Sequence, residues 1–149
     1  MTKAIIRKAH LSDLDRVEEI EWSVFESDQL SRQSLRRYMQ VASAAMIVAQ
    51  EDKTTTGYAL VGFRKGSTIG RLYSIAVDKA CAGRGVGRLL LDASEQAAKT
   101  RKCKRFALEV RADNKRAIKL YKKNDYVLIG REDDWYEDGG TALKFEKAL

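Results

Sequence analysis

The sequence predicts a single α/β domain with a mixed sheet, running strand, two helices, three strands, helix, strand, helix and two closing strands. Three observations predict it. Apolar residues at helical period alternate along the chain with short apolar runs, and no linker, repeat or low-complexity tract interrupts them. The 149 residues, 44% of them hydrophobic, suffice for one buried core without disulfides or metal. Gly83, Gly85 and Gly87 cluster in mid-chain between a strand pattern and a helix pattern.

Residues 3–7 read as the first strand. Ser12, with Asp15 three positions on, has capping-box spacing for a helix carrying Leu14, Val17, Ile20 and Val24. Ser31 lies between Leu30 and Leu35, the spacing of a hydrophobic staple around an N-cap, and Tyr38, Met39 and Ala42 continue that helix. Two apolar runs, 44–49 and 57–63, flank the polar stretch 51–56 and predict a hairpin; 68–77 is the next strand. After the glycines, Val86, Leu89, Leu90, Ala93 and Ala97 form a helix face, and Phe106, Leu108 and Val110 alternate along a strand. Asn114 can cap a helix bearing Ala117, Ile118, Leu120 and Tyr121, and 126–130 with 141–145 form a closing hairpin around Asp138-Gly139-Gly140.

Composition narrows the function. No apolar run of membrane-spanning length and no signal-peptide pattern is present, so a soluble, cytoplasmic protein is expected. Cys81 and Cys103 lack C-x-x-C spacing and His10 is the single histidine, which argues against a disulfide framework and a zinc cluster; no metal is expected. The +7 charge favours an anionic partner. Lys99, Arg101, Lys102, Lys104 and Arg105 crowd one helix-to-strand loop and read as a solvated loop, not a nucleic-acid stripe.

The Gly83-Arg84-Gly85-Val86-Gly87 turn follows a strand and opens a helix, so successive backbone amides can point outward and cradle a phosphate, with Arg84 and Arg88 adding charge. A triphosphate loop would need Gly-Lys-Ser/Thr, and a dinucleotide fingerprint would follow the first strand; neither pattern fits. Taken alone, the turn is compatible with a phosphate site or with a tight turn only.

The run 72–78, Leu-Tyr-Ser-Ile-Ala-Val-Asp, followed by Gly83 to Leu91, resembles the central motif of the GNAT acetyltransferase superfamily. Leu108-Glu109-Val110-Arg111-Ala112-Asp113-Asn114, with Ala117, Ile118, Leu120 and Tyr121, is similar to the signature of RimI-type protein N-terminal acetyltransferases. The resemblance extends from about Gly57 to the end, and over the first fifty residues only in layout. It implies about seven strands, mostly antiparallel and twisted, with about four helices. Two departures stand out: Ala82 where relatives have Gln or Arg, and Asp125-Tyr126 where many have Gly-Phe.

The resemblance implies acetyl-CoA as cosubstrate. It places the pantetheine arm along the backbone of Ile75, Ala76 and Val77, the pyrophosphate on Gly83, Arg84, Gly85, Val86, Gly87 and Arg88, and a further contact at Asn114. Lys115, Arg116 or Lys119 would meet the 3′-phosphate. Direct transfer to a primary amine requires a base, because a free amine is largely protonated at neutral pH, and Glu109 takes that role by motif. Alternation alone leaves Glu109 on either a solvated or a cleft-facing strand surface. Tyr121 would serve the departing thiol; by helical period it could equally be a core aromatic. Trp22, Phe25, Trp135 and Tyr136 would line the acceptor groove with Glu26, Asp28, Glu137 and Asp138, although Trp22 and Phe25 also suit helix-end packing. The expected partner is a peptide or protein N-terminus, with a small amine as alternative and a non-catalytic acyl-CoA sensor as the competing class. A monomer or homodimer is expected, with neither membrane nor nucleic acid as partner.

Overall fold

The computed structural model describes residues 4–149. The order is β1 (Ile5–Lys8), α1 (Leu14–Val24), α2 (Arg32–Gln40), β2 (Ala44–Glu51), β3 (Thr54–Phe63), β4 (Ile69–Val77), α3 (Val86–Thr100), β5 (Arg105–Arg111), α4 (Lys115–Lys123), β6 (Val127–Glu132) and β7 (Ala142–Ala148). This is the predicted order; Lys3, expected in the first strand, lies outside the described residues. One sheet in the order β1-β2-β3-β4-β5-β7-β6 holds all the strands. Only β4 and β5 are parallel, because α3 connects them as a crossover; the other pairs are antiparallel.

Helices cover both faces of the central strands, which is why β2 and β3 read as continuous apolar runs. Ile47, Ala49, Ala59 and Val61 pack with Leu90 and Leu91 of α3, while Met46, Val48, Tyr58 and Leu60 pack with Val17 and Ile20 of α1 and Leu35 of α2. Val17, Ile20 and Leu35 are fully buried, each stabilising the fold by about 2 kcal/mol through removal of apolar surface from water.

Ser31 caps α2 by accepting from the Ser34 amide at 3.1 Å, and Asn114 caps α4 by accepting from Ala117 at 3.2 Å. The start of α1 differs from expectation. Ser12 is exposed within a short 3-10 turn, and the carboxylate of Asp13 takes its place, accepting the His10 amide at 2.7 Å and pairing with Arg7 at 2.8 Å. A buried carboxylate can satisfy an amide and a guanidinium together, and the Arg7 guanidinium holds the Asp13 carboxyl below its usual range. The polar stretch 51–56 is also shorter as a loop than its composition suggests. The turn is Asp52-Lys53, with Asp52 at φ 53°, and the β-branched Thr55 and Thr56 are buried in β3.

Candidate active site

β4 and β5 pair only over Ile69–Leu72 and Arg105–Leu108 and then diverge. On its other side β4 stays paired to β3 through Ile75, Ala76 and Val77, with a bulge at Tyr73 where Leu60 faces Ser74 and Val61 faces Leu72. From Tyr73 to Val77 the edge facing β5 therefore has no strand partner among the described residues. The bulged Tyr73 ring lies over Gly62, where a Cβ would fall inside the ring, and packs against Tyr38 with centroids 5.9 Å apart. A cleft of about 210 Å³ opens in this divergence, walled by β4, β5, α4 and the loops α1–α2 and β6–β7.

At the end of β4 the chain passes through Asp78 into the glycine turn. Asp78 accepts from the Ala80 amide at 3.0 Å and pairs with Arg16. Gly83 and Gly85 have φ of 83° and 80°, the left-handed region that glycine enters without strain, with open space where a Cβ would project. Gly85 is the N-cap of α3, whose first intrahelical bond runs from the Leu89 amide to the Gly85 carbonyl. None of the amides from Gly83 to Arg88 has a backbone partner among the described residues. A run of free donors at a helix N-terminus is an anion cradle. Arg84 leans away onto the buried Glu51 at 3.0 Å, and Arg88 is exposed beside Asp92. At Gly87 an added Cβ would meet Leu120 and Val77 only at ordinary contact distance, so neither packing nor φ demands glycine there.

Glu109, Tyr121, Ile75, Asn114, Phe25 and Tyr136 all line the cleft. Glu109 is partly exposed, with Arg71 at 4.0 Å. Tyr121 is 3% exposed, its ring packed against Tyr126 and Phe145. It is thus both a core aromatic and a cleft residue, and burial pushes its phenol well above the usual value, so it keeps its proton. The Tyr136 phenol is pushed up to about 12, chiefly by burial, and its ring carries the Arg111 guanidinium at 4.6 Å. Arg111 reaches Asp138 at 2.6 Å and Ser27 at 3.4 Å, and Asp28 accepts the Glu137 amide at 3.3 Å, so the α1–α2 and β6–β7 loops are tied across the cleft mouth.

Trp22 and Trp135 do not join them. Trp22 follows the inward-facing Glu21, and one helical step turns it to solvent at 54% exposure; Trp135 is 43% exposed with Lys144 over its ring. Asn114 has its carbonyl committed to capping α4, which leaves its amide group for a ligand. Lys115, Arg116 and Lys119 are exposed along α4.

Residues 13–126 match the profile of the acetyltransferase (GNAT) family. The chain belongs to that family. It is similar to an uncharacterised N-acetyltransferase of Methanocaldococcus jannaschii, 34% identical over 93% of this chain and 88% of the relative. An N-alpha-acetyltransferase of Sulfurisphaera tokodaii is 30% identical over 92% of this chain and 88% of its own length. The fold is similar to the crystal structure of the ribosomal-protein-S18-alanine N-acetyltransferase from Escherichia coli, with a TM-score of 0.87 at 22% identity, covering 99% of this chain and 94% of that one. The GNAT chain is an acetyl-CoA-dependent acetyltransferase.

Several cleft residues of this GNAT chain escape a reading of its sequence. Glu21, Tyr73 and Ser74 all line the cavity. For Glu21 a signal exists: it falls on the apolar stripe of α1, four residues after Val17, where a charge is out of place. Arg111 also lines the cavity, on the strand face of Glu109 where alternation predicts it. Tyr73 is marked by nothing local, because its setting depends on the bulge.

Proposed function

We propose that this chain transfers the acetyl group of acetyl-CoA to the α-amine of a peptide or protein N-terminus, working as one domain. The observation that carries the reading is a cleft with Glu109 and Tyr121 in its lining, between an unpaired strand edge and two tied loops. The name of the Sulfurisphaera tokodaii relative supports the choice of an N-terminal amine. Cytoplasmic location, a monomeric or homodimeric state and no nucleic-acid partner belong to the same reading.

The residues present fit the cosubstrate. The free amides of Gly83 to Arg88 would hold its pyrophosphate, the open edge at Ile75 to Val77 would pair its pantetheine amides as an added strand, and Asn114 with Lys115, Arg116 or Lys119 would meet the nucleotide end. When bound, acetyl-CoA supplies an acetyl thioester. Glu109 accepts the proton that the acceptor ammonium must lose before it can act as a nucleophile, directly or through a water. Tyr121, which keeps its proton, holds a donor where the sulfur leaves. Phe25 and Tyr136 wall the acceptor, with Asp28 contributing negative charge that suits a cationic amine.

The test is a thiol-release assay with acetyl-CoA over a panel of N-terminal peptides and small amines, with products identified by mass. Acetylation of peptide α-amines, and none of the same peptides blocked at the N-terminus, is the expected outcome. Turnover confined to small amines would overturn the choice of acceptor.

A further inference from the structure

Glu21 is a buried carboxylate that the proposed chemistry does not use. It is 2% exposed, lines the cleft, and stands where α1 would otherwise place an apolar side chain. Its hydrogen-bond partners are neutral donors from three separate elements. One carboxylate oxygen accepts from the Tyr58 hydroxyl of β3 and from the Ser74 hydroxyl of β4 at 3.3 Å; the other accepts the Leu30 amide, in the loop before α2, at 2.8 Å. Ser74 Oγ also lies 3.0 Å from the Tyr58 oxygen, so its single proton is shared between that oxygen and Glu21. Burial, and then the Glu21 charge, push the Tyr58 phenol well above its usual value, so Tyr58 is a permanent donor here.

A carboxylate buried among neutral groups costs several kcal/mol in lost hydration, and an apolar side chain of similar volume would avoid that cost. The compensation lies in geometry. Ser74 sits between the bulged Tyr73 and Ile75, at the start of the unpaired β4 edge. Leu30 ends the loop that carries Phe25, Ser27 and Asp28 to the cleft. One side chain of α1 therefore bridges the acceptor wall to the cofactor strand, and among the described residues no side-chain hydrogen bond joins that loop to β4 directly.

We propose that Glu21 is a positioning residue for the acceptor, holding the α1–α2 loop in register with the β4 edge so that the amine enters a preformed site. The inference rests on the reading that this cleft takes the acceptor amine. A preformed wall spares the acceptor the cost of ordering the loop, so the effect falls on acceptor KM more than on cosubstrate binding. Glutamine keeps the volume of Glu21 but not its charge or its second acceptor: with its oxygen on the Leu30 N–H, its amide nitrogen can only donate, and the Tyr58 and Ser74 hydroxyls must turn from donors into acceptors.

The experiment compares Glu21→Gln, Ser74→Ala and Ser74→Thr with the wild type, using whichever acceptor in the panel the wild type turns over fastest. Glu21→Gln raises acceptor KM by about tenfold or more, while acetyl-CoA affinity by calorimetry stays within about twofold. Ser74→Ala gives a smaller rise in the same parameter, and Ser74→Thr, which keeps the hydroxyl, restores it. Unchanged acceptor KM in these variants overturns the proposal. So does a loss of acetyl-CoA affinity in step with acceptor KM and thermal midpoint, the pattern of general loosening. If Glu21→Gln does not fold, the Ser74 pair decides by the same readouts. A panel won by a small amine overturns the N-terminal reading and still tests Glu21 on that amine.

Discussion

The two walls of the cleft are made of different material. On the β4 and α3 side the functional surface is main chain: an unpaired strand edge and a run of free amides from Gly83 to Arg88. On the opposite side it is side chain: Glu21, Asp28, Arg111, Tyr136 and Asp138 converge from segments far apart in sequence. A main-chain surface depends on conformation and tolerates exchange of most side chains, as the irregular Ala82 beside the turn illustrates. A side-chain surface changes with every substitution, which lets one cofactor wall serve many acceptors.

Breaking the main-chain wall has the largest expected effect. Gly85→Glu forces a left-handed φ of 80° on a residue with a Cβ and sets a negative charge against the free amides. Acetyl-CoA affinity falls by at least about 100-fold by calorimetry; native affinity would mean that the turn holds no phosphate. Next comes Glu109→Gln, which leaves that affinity intact and lowers kcat by about 100-fold, the usual worth of a positioned base. Tyr121→Phe lowers kcat by about tenfold. Phenylalanine keeps the ring packed on Tyr126 and Phe145, and no hydrogen bond perturbs the Tyr121 phenol, so the thermal midpoint by calorimetry matches the wild type; a drop would give the hydroxyl a structural role instead.

On the acceptor wall, Asp28→Ala unties Glu137 and raises acceptor KM by about threefold with acetyl-CoA affinity unchanged, since an exposed hydrogen bond is worth little. The smallest effect concerns acid. The Ala80 amide, and then Arg16, hold the Asp78 carboxyl below its ordinary 3.8. A depressed native value means that the stabilisation is complete above the ordinary value and is lost as pH falls through the native one. The thermal midpoint of Asp78→Asn therefore lies below the wild type at neutral pH and converges on it in acid. A gap that stays undiminished down to the most acidic pH at which the wild type still folds would remove ionisation of Asp78 from the account.

The same contrast explains what could be read in the sequence. The element order, the caps at Ser31 and Asn114 and the glycine turn depend on neighbours within a few residues, so period and spacing reveal them. The hydrogen bonds of Arg111 to Ser27 and of Glu137 to Asp28 span 84 and 109 residues, and no local pattern announces them. Asp13 takes the place expected of Ser12 with the help of Arg7, which reaches it from β1. Asp125, at the place where many relatives carry glycine, adopts φ 71° beyond the end of α4. Its neighbour holds it in that strained conformation, because Tyr126 is buried with its hydroxyl on Glu95 at 2.7 Å. Trp22 and Trp135 mislead in the opposite sense, since large aromatics suggest a wall and these two face water.

The open edge of β4 bears on more than turnover. A strand with β3 on one side and no strand on the other from Tyr73 to Val77 carries, along that open edge, donors and acceptors that no described strand pairs. On the proposed reading, acetyl-CoA completes the sheet only while it is bound, and a ligand that binds the folded chain alone shifts unfolding by mass action, about 2.7 kcal/mol at a hundredfold excess over Kd. The supply of acetyl-CoA would then govern the survival of the protein as well as its rate: in a starved cell, idle copies would be the first to unfold.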